Sequence, residues 1–293
     1  MFIRDSKGRL ILIEVKCLSK KYGEKEALKG ISFDVNEGEI FGFLGPNGAG
    51  KTTTLKILTG QLSADSGWAK IMGFDVMKET RELHAYIGVV PEEANLYERL
   101  TVRQNLDLFC RLYGCSIEQT NYYLERVGLI KEKNTQVKKL SKGMKQKVLL
   151  VRSLLHNPKI ILLDEPTSGL DPASAENIHN LLLELNSEGI TILLTSHNME
   201  EVDKLCNRVA ILNQGEIVES GSPIELKLAH SNRRMKVLID EGQGLVSKEL
   251  DMDAVETGPI LAQWMADGKV RAIHSCEPTL ADIFVRVTGR EFS

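Results

Sequence analysis

GPNGAGKTT, residues 45–53, follows the apolar run EIFGFL (39–44) and opens the helix-compatible stretch KTTTLKILT (51–59). It fits the pattern G-x-x-x-x-G-K-[ST] at every fixed position, and its flanks are the strand and helix that this pattern requires. Glycines at 45, 48 and 50 open backbone conformations closed to other residues. Successive N–H groups can then converge on one concavity, and the helix behind adds its positive N-terminal end. Such a loop holds phosphate. Lys51 is placed to reach the β- and γ-phosphates of a nucleotide as a point charge, the Thr52 hydroxyl to ligate Mg2+, and Thr53 to reach the phosphate nearest the sugar. Pro46, Asn47 and Ala49 complete the loop. The alternative, a chance glycine-rich turn, leaves the match at every fixed position and both flanks to coincidence.

Further along lies IILLDEPTSGLDP (160–172). Four consecutive apolar residues read as a central parallel strand buried on both faces, with Asp164 and Glu165 at its carboxyl end. In open α/β sheets ligands collect outside the carboxyl ends of strands, so the loop and the two acids can face one site. A strand over 190–195 carries His197 to the same sheet edge. A lone histidine after a strand is more often structural than catalytic, and the residue alone leaves both readings open. Tyr22, beside Gly23 in KKYGEKEAL, is similarly either a surface turn residue or a platform for a planar base.

The remaining pattern is alternating strand and helix. Residues 10–15, 31–35 and 86–90 read as strands, the last ended by Pro91, and from Leu100 the apolar spacing turns helical. An inserted helical region spans about 93–157, with Ser141 an N-cap for a helix that Asn157-Pro158 stops. Helices over 173–186 and 199–205 and strands over 209–212 and 216–220 follow. Beyond 228 the composition shifts to a strand, helix, strand, helix pattern (235–239, 260–266, 270–274, 280–287) with no phosphate, metal or nucleophile motif. The expected organisation is an extension over 1–9, a nucleotide-binding domain over 10–227 and an accessory domain over 228–293. A formal net charge of -3 offers no general attraction for nucleic acid. The five cysteines are dispersed without a C-x-x-C pair, which indicates neither a disulfide framework nor a zinc site. No apolar run reaches membrane-spanning length, and charges interrupt the N-terminus where a signal peptide needs an apolar core.

From about 15 to 221 these motifs resemble, in order, the nucleotide-binding subunit of an ATP-binding cassette (ABC) transporter. GPNGAGKTT is similar to its Walker A loop, LSKGM (140–144) to its signature, IILLDE (160–165) to Walker B, SGLD (168–171) to the D-loop, and His197 in TSH to the switch histidine. The resemblance implies an α/β P-loop NTPase core with an inserted helical subdomain and a small α+β C-terminal appendage. It also implies ATP and Mg2+ as ligands. Tyr22 would stack on adenine, Asp164 would hold Mg2+ through water, Glu165 would act as general base, and His197 would contact the γ-phosphate. Ser141 and Gly143 would cap the γ-phosphate of an opposite cassette, either a second copy or a homologue. Two positions depart from the family: Lys142 and Met144 replace Gly and Gln in the usual LSGGQ, and Glu92 stands at the Q-loop glutamine, a position near Mg2+. These departures and the ending EPTLADIFVRVTGR are similar to bacterial exporters whose cassette and integral-membrane permease are separate polypeptides. The resemblance therefore implies a peripheral protein on the cytoplasmic face of the membrane, with no nucleic-acid partner. A soluble ABC ATPase acting on ribosomes or DNA is the alternative. Paired cassettes or a coiled-coil interruption would mark it, and neither is found.

Overall fold

The strands Ile40–Leu44, Ile160–Asp164 and Thr191–Ser196 are buried at every residue, the pattern of parallel strands covered on both faces. They form the middle of a six-stranded sheet in the computed structural model, which describes Arg4 and residues 8–93, 95–242 and 244–289. The order across the sheet is Glu216–Gly221, Arg208–Asn213, Ile40–Leu44, Thr191–Ser196, Ile160–Asp164, Ile87–Val90. Register sets the site. Leu44 lies opposite Ser196, Asp164 opposite Thr195, and Val90 opposite Leu163. The phosphate loop, the two acids, His197 and Glu92 thus all leave the sheet at one edge.

An antiparallel sheet of four strands packs beside this core, in the order Lys25–Asn36, Ile11–Tyr22, Ser66–Ile71, Phe74–Asp75. Phe33 joins the two sheets, stacked on Phe41 at 5.7 Å and edge-on to Phe43 at 4.7 Å between ring centroids. The first two strands are each 12 residues long, well beyond the segments 10–15 and 31–35 that apolar alternation marks. Their outer halves mix exposed lysines with the buried Leu18, Ala27 and Leu28, and backbone pairing carries the hairpin out to Tyr22 opposite Lys25.

Between Val102 and Leu154 lie three α-helices. Thr101 and Gln104 form a capping box on the helix Val102–Tyr113, and Ser116 caps Ile117–Arg126. Ser141 accepts from the Met144 N–H at 3.2 Å to start Lys142–Leu154. That last helix lies directly on the strand Ile87–Val90. A Cβ at Gly88 would stand 2.4 Å from the Ser153 carbonyl oxygen, so only glycine permits the approach.

The chain divides into two units, Met1–Ser220 and Gly221–Ser293. The boundary falls seven residues before the 228 that composition marks, since the helix Pro223–Ala229 packs against Leu280–Thr288 of the second unit. Its start carries a capping box, Ser222 with Glu225, and proline in the first turn. The second unit also holds a three-stranded antiparallel sheet in the order Leu245–Asp251, Arg234–Asp240, Val270–Ser275, and the helix Thr257–Ala266. Leu245–Asp251 is a strand that the hydrophobic pattern does not mark. Most of the expected extension over 1–9 lies outside the described residues. Among the described residues no helix is long and apolar enough to cross a membrane.

Candidate active site

Gly50, at φ 116, caps the helix Lys51–Leu58, whose first turn holds no acidic residue to oppose its positive end. A Cβ at Gly50 would stand 2.8 Å from the Ala27 carbonyl oxygen. Gly48 is also left-handed, at φ 79, so the loop closes as its glycines predict. The Lys51 ammonium is buried. It donates to the carbonyl oxygens of Gly45 at 2.6 Å and Pro46 at 3.3 Å, and lies 3.1 Å from Glu165 Oε1. The Lys51 and Glu165 side chains are 5% and 7% exposed, which makes this a charge pair largely removed from water.

Beside that pair sits a second polar group. The Thr52 hydroxyl donates to Asp164 Oδ1 at 3.3 Å, and the Thr195 hydroxyl donates to the same oxygen at 2.6 Å. Thr195 also holds Glu165, whose N–H donates to its hydroxyl at 3.0 Å. Glu165 itself is left-handed, at φ 49, a conformation uncommon for a residue with a side chain and concentrated at functional sites. Its Oε2 accepts from the His197 backbone N–H at 3.3 Å and lies 2.7 Å from His197 Nδ1. Oε1 contacts Lys51 ionically but makes no hydrogen bond. One carboxylate therefore bridges the lysine of the phosphate loop and the histidine from another strand.

Tyr22, Pro46, Asn47, Gly48, Gly50, Lys51, Thr52, Thr53, Glu92 and Glu165 line one cavity at this edge. Tyr22, at the end of the hairpin, is 49% exposed. Lys25 and Ala27 line the cavity too, and the Lys25 ammonium lies 3.9 Å from where a Cβ of Gly48 would be. The sequence reading named neither. Glu92 also lines a second cavity, with Glu93, Lys142, Lys145, Gln146 and Ser168. Ser141 and Gly143 are not brought to this chain's phosphate loop. Gly143 instead abuts Ser174, whose Oγ would be 2.8 Å from its Cβ. Thr195 is the other site residue that motif reading passed over. A hydroxyl in the fully buried run TILLTS has to find a partner, and that was the available signal.

Residues 28–168 match the ABC transporter family. The chain is 40% identical over 285 residues to a fluoroquinolones export ATP-binding protein of Mycobacterium tuberculosis, covering 96% of this chain and 95% of that one. It is 33% identical over 307 residues to the linearmycin resistance ATP-binding protein of Bacillus subtilis, covering 95% and 99%. This chain belongs to the ABC transporter family. Among solved structures it is similar to a dimeric ABC cassette in a post-hydrolysis state bound to ADP and Pi, with a TM-score of 0.66 and 28% identity over 72% of this chain and 98% of that one. The ABC cassette is thus an α/β P-loop NTPase, and its chemistry is ATP hydrolysis that powers transport. The fold expected from the motifs is the fold found.

Proposed function

We propose that this ABC subunit binds ATP with Mg2+, hydrolyses it between two cassettes, and so drives export through a separate integral-membrane permease from the cytoplasmic face. The observation that carries the reading is the Glu165 carboxylate, held between Lys51 at 3.1 Å and His197 at 2.7 Å at the mouth of the phosphate loop. Phosphoryl transfer asks mainly for positioning and charge neutralisation. A triphosphate in the loop offers Lys51 oxygens more strongly charged than the carbonyls of Gly45 and Pro46. Lys51 then turns to phosphate, and Glu165 loses a cation that holds it. Freed on that side, Glu165 accepts the proton of the attacking water as general base. His197 keeps the carboxylate in place through Nδ1 and its backbone N–H, and its ring contacts the γ-phosphate.

Thr52 and Asp164 supply a hydroxyl and a carboxylate side by side, the oxygen donors that suit Mg2+. When bound, the ion neutralises charge on the β- and γ-phosphates. Tyr22 stacks on the adenine ring, Lys25 adds a cation above the phosphates, and Thr53 meets the phosphate nearest the sugar. Ser141 and Gly143, on the signature helix and away from this chain's loop, cap the nucleotide of a second copy or a homologous cassette. Export is the activity named for the mycobacterial relative, and the permease is the partner that activity needs.

Glu165→Gln separates binding from chemistry. The expected result is ATP affinity close to that of the unchanged protein and turnover reduced by roughly 100-fold or more, since an amide cannot take a proton. Near-normal hydrolysis by this variant would remove Glu165 from the role of base.

A further inference from the structure

Glu201 stands in the first turn of the helix Met199–Leu205 and is 2% exposed, yet no step above uses it. Its Oε1 accepts from the Thr167 hydroxyl at 2.6 Å and lies 3.0 Å from His179 Nε2, while Oε2 accepts from the Ser196 hydroxyl at 2.6 Å. A carboxylate is kept this deep only where donors replace water. The three donors come from three segments. Thr167 lies two residues after Glu165, Ser196 one residue before His197, and His179 on the helix Pro172–Ser187. Ser196 Oγ in turn accepts from the Asn198 N–H at 2.9 Å, so the backbone on both sides of His197 is tied to the same centre.

The arrangement reaches further on the Thr167 side. Past Thr167 the chain turns through Gly169, where a Cβ would stand 2.6 Å from Lys142 Nζ, next to Ser141. One buried carboxylate thus anchors the loop bearing Glu165, the loop bearing His197, and the turn that meets the start of the signature helix. A residue retained for packing alone would be served as well by an apolar side chain, without the cost of burying charge.

We propose that Glu201 is a positioning residue, which sets the separation of Glu165 from His197 and, through Thr167, holds the D-loop turn against the signature helix. This rests on the roles given above to Glu165 and His197. It acts on the geometry of turnover and leaves the nucleotide cavity, which it does not line, unchanged.

The test uses the full chain and compares Glu201→Ala, Glu201→Gln, Thr167→Val and the Glu201→Ala/Thr167→Val double variant, with Glu165→Gln measured alongside. Expected for Glu201→Ala is a kcat lower by roughly 10- to 100-fold, the scale set by an ångström of misplacement, with ATP affinity and KM little changed. Thr167→Val should lower kcat less and add little in the double variant, because both remove one coupled contact. Glu201→Gln should recover most of the loss, since an amide can still engage both hydroxyls. A Glu201→Ala protein with undiminished kcat would overturn the proposal, as would a kcat loss matched by the loss of folded protein. Should Glu201→Ala fail to fold, Thr167→Val and Ser196→Ala decide instead, and full kcat in both would overturn it. A normal Glu201→Ala beside an inactive Glu165→Gln sinks this proposal alone. An active Glu165→Gln sinks the catalytic reading on which it rests.

Discussion

Lys51 and Glu165 illustrate how a single residue pair can be costly and still be kept. Both side chains are about 95% buried, and each is partly paid for by the other at 3.1 Å. The lysine adds two carbonyl contacts and the glutamate adds His197. Glu92 is a different case, because it brings a further carboxylate to a cavity that already contains Glu165. At about 4 Å and an effective dielectric near 20, each unit-charge repulsion with a triphosphate is roughly 4 kcal/mol before any cation offsets it. Lys142 and Lys145 line the other cavity that Glu92 faces, but they do not line the nucleotide cavity. ATP affinity should therefore depend strongly on Mg2+, and Glu92→Gln should weaken that dependence while hydrolysis continues. Titrations of both proteins with Mg2+ and with chelator check this, and equal Mg2+ dependence would leave Glu92 without a metal-linked role.

The helix Lys142–Leu154 and the strand Ile87–Val90 meet backbone to backbone at Gly88. An added methyl would meet the Ser153 carbonyl oxygen at 2.4 Å and the Ser153 Cβ at 3.2 Å. Backbone cannot swing aside as a side chain does, so the helix has to move. Gly88→Ala should cost about 1–3 kcal/mol of stability, read as a lower urea midpoint. Because Ser141 caps the far end of the same helix, ATPase activity should fall along with it. A wild-type midpoint would mean that the helix can shift without loss. Element existence was readable from periodicity in strongly buried elements such as Ile160–Asp164 and Lys142–Leu154, but not in the short helix Pro223–Ala229. It was not readable where the strand is open to water. Leu245–Asp251 has no residue that is fully buried, and its alternation is correspondingly weak. The outer hairpin over Lys20–Lys25 is held by backbone pairing and by Asp65, which accepts from Lys20 Nζ at 2.8 Å and the Lys21 N–H at 2.6 Å.

At the scale of the molecule, one chain contains one phosphate loop and one signature helix, and the two are apart. Ser141→Arg should leave ATP binding to the single chain intact and abolish ATP-induced dimerisation in the Glu165→Gln background, as followed by light scattering. A dimer that still forms with ATP would show that Ser141 does not act on the partner's nucleotide. Every residue found to line the nucleotide cavity lies within Met1–Ser220. A chain ending at Ser222 keeps the strand Glu216–Gly221 whole and should bind ATP as the full chain does. One ending at 227 retains Leu226, 3% exposed in the full chain, on a helix that has lost its packing partner Leu280–Thr288. It should aggregate more readily, which size-exclusion chromatography would reveal. A large loss of ATP affinity in a folded 1–222 chain would assign the second unit a share of the site.

The amino-acid sequence by itself determined the phosphate loop, the two acids at the end of an apolar strand, and the parallel α/β core. Each is written in contiguous residues, where backbone geometry and burial act over a few positions at a time. Tertiary structure decided the particular contacts that distant groups make. Thr195 reaches Asp164 across 31 positions of chain, Glu201 reaches Thr167 across 34, and His197 reaches Glu165 across 32. Tyr22 and Lys25, paired across one hairpin, and Glu92, just past the strand Ile87–Val90, come to the same cavity. Local periodicity carries no information about which strand ends lie level with one another. That is set by sheet register, Leu44 against Ser196 and Asp164 against Thr195, and register is fixed only when the buried faces of all the strands pack together.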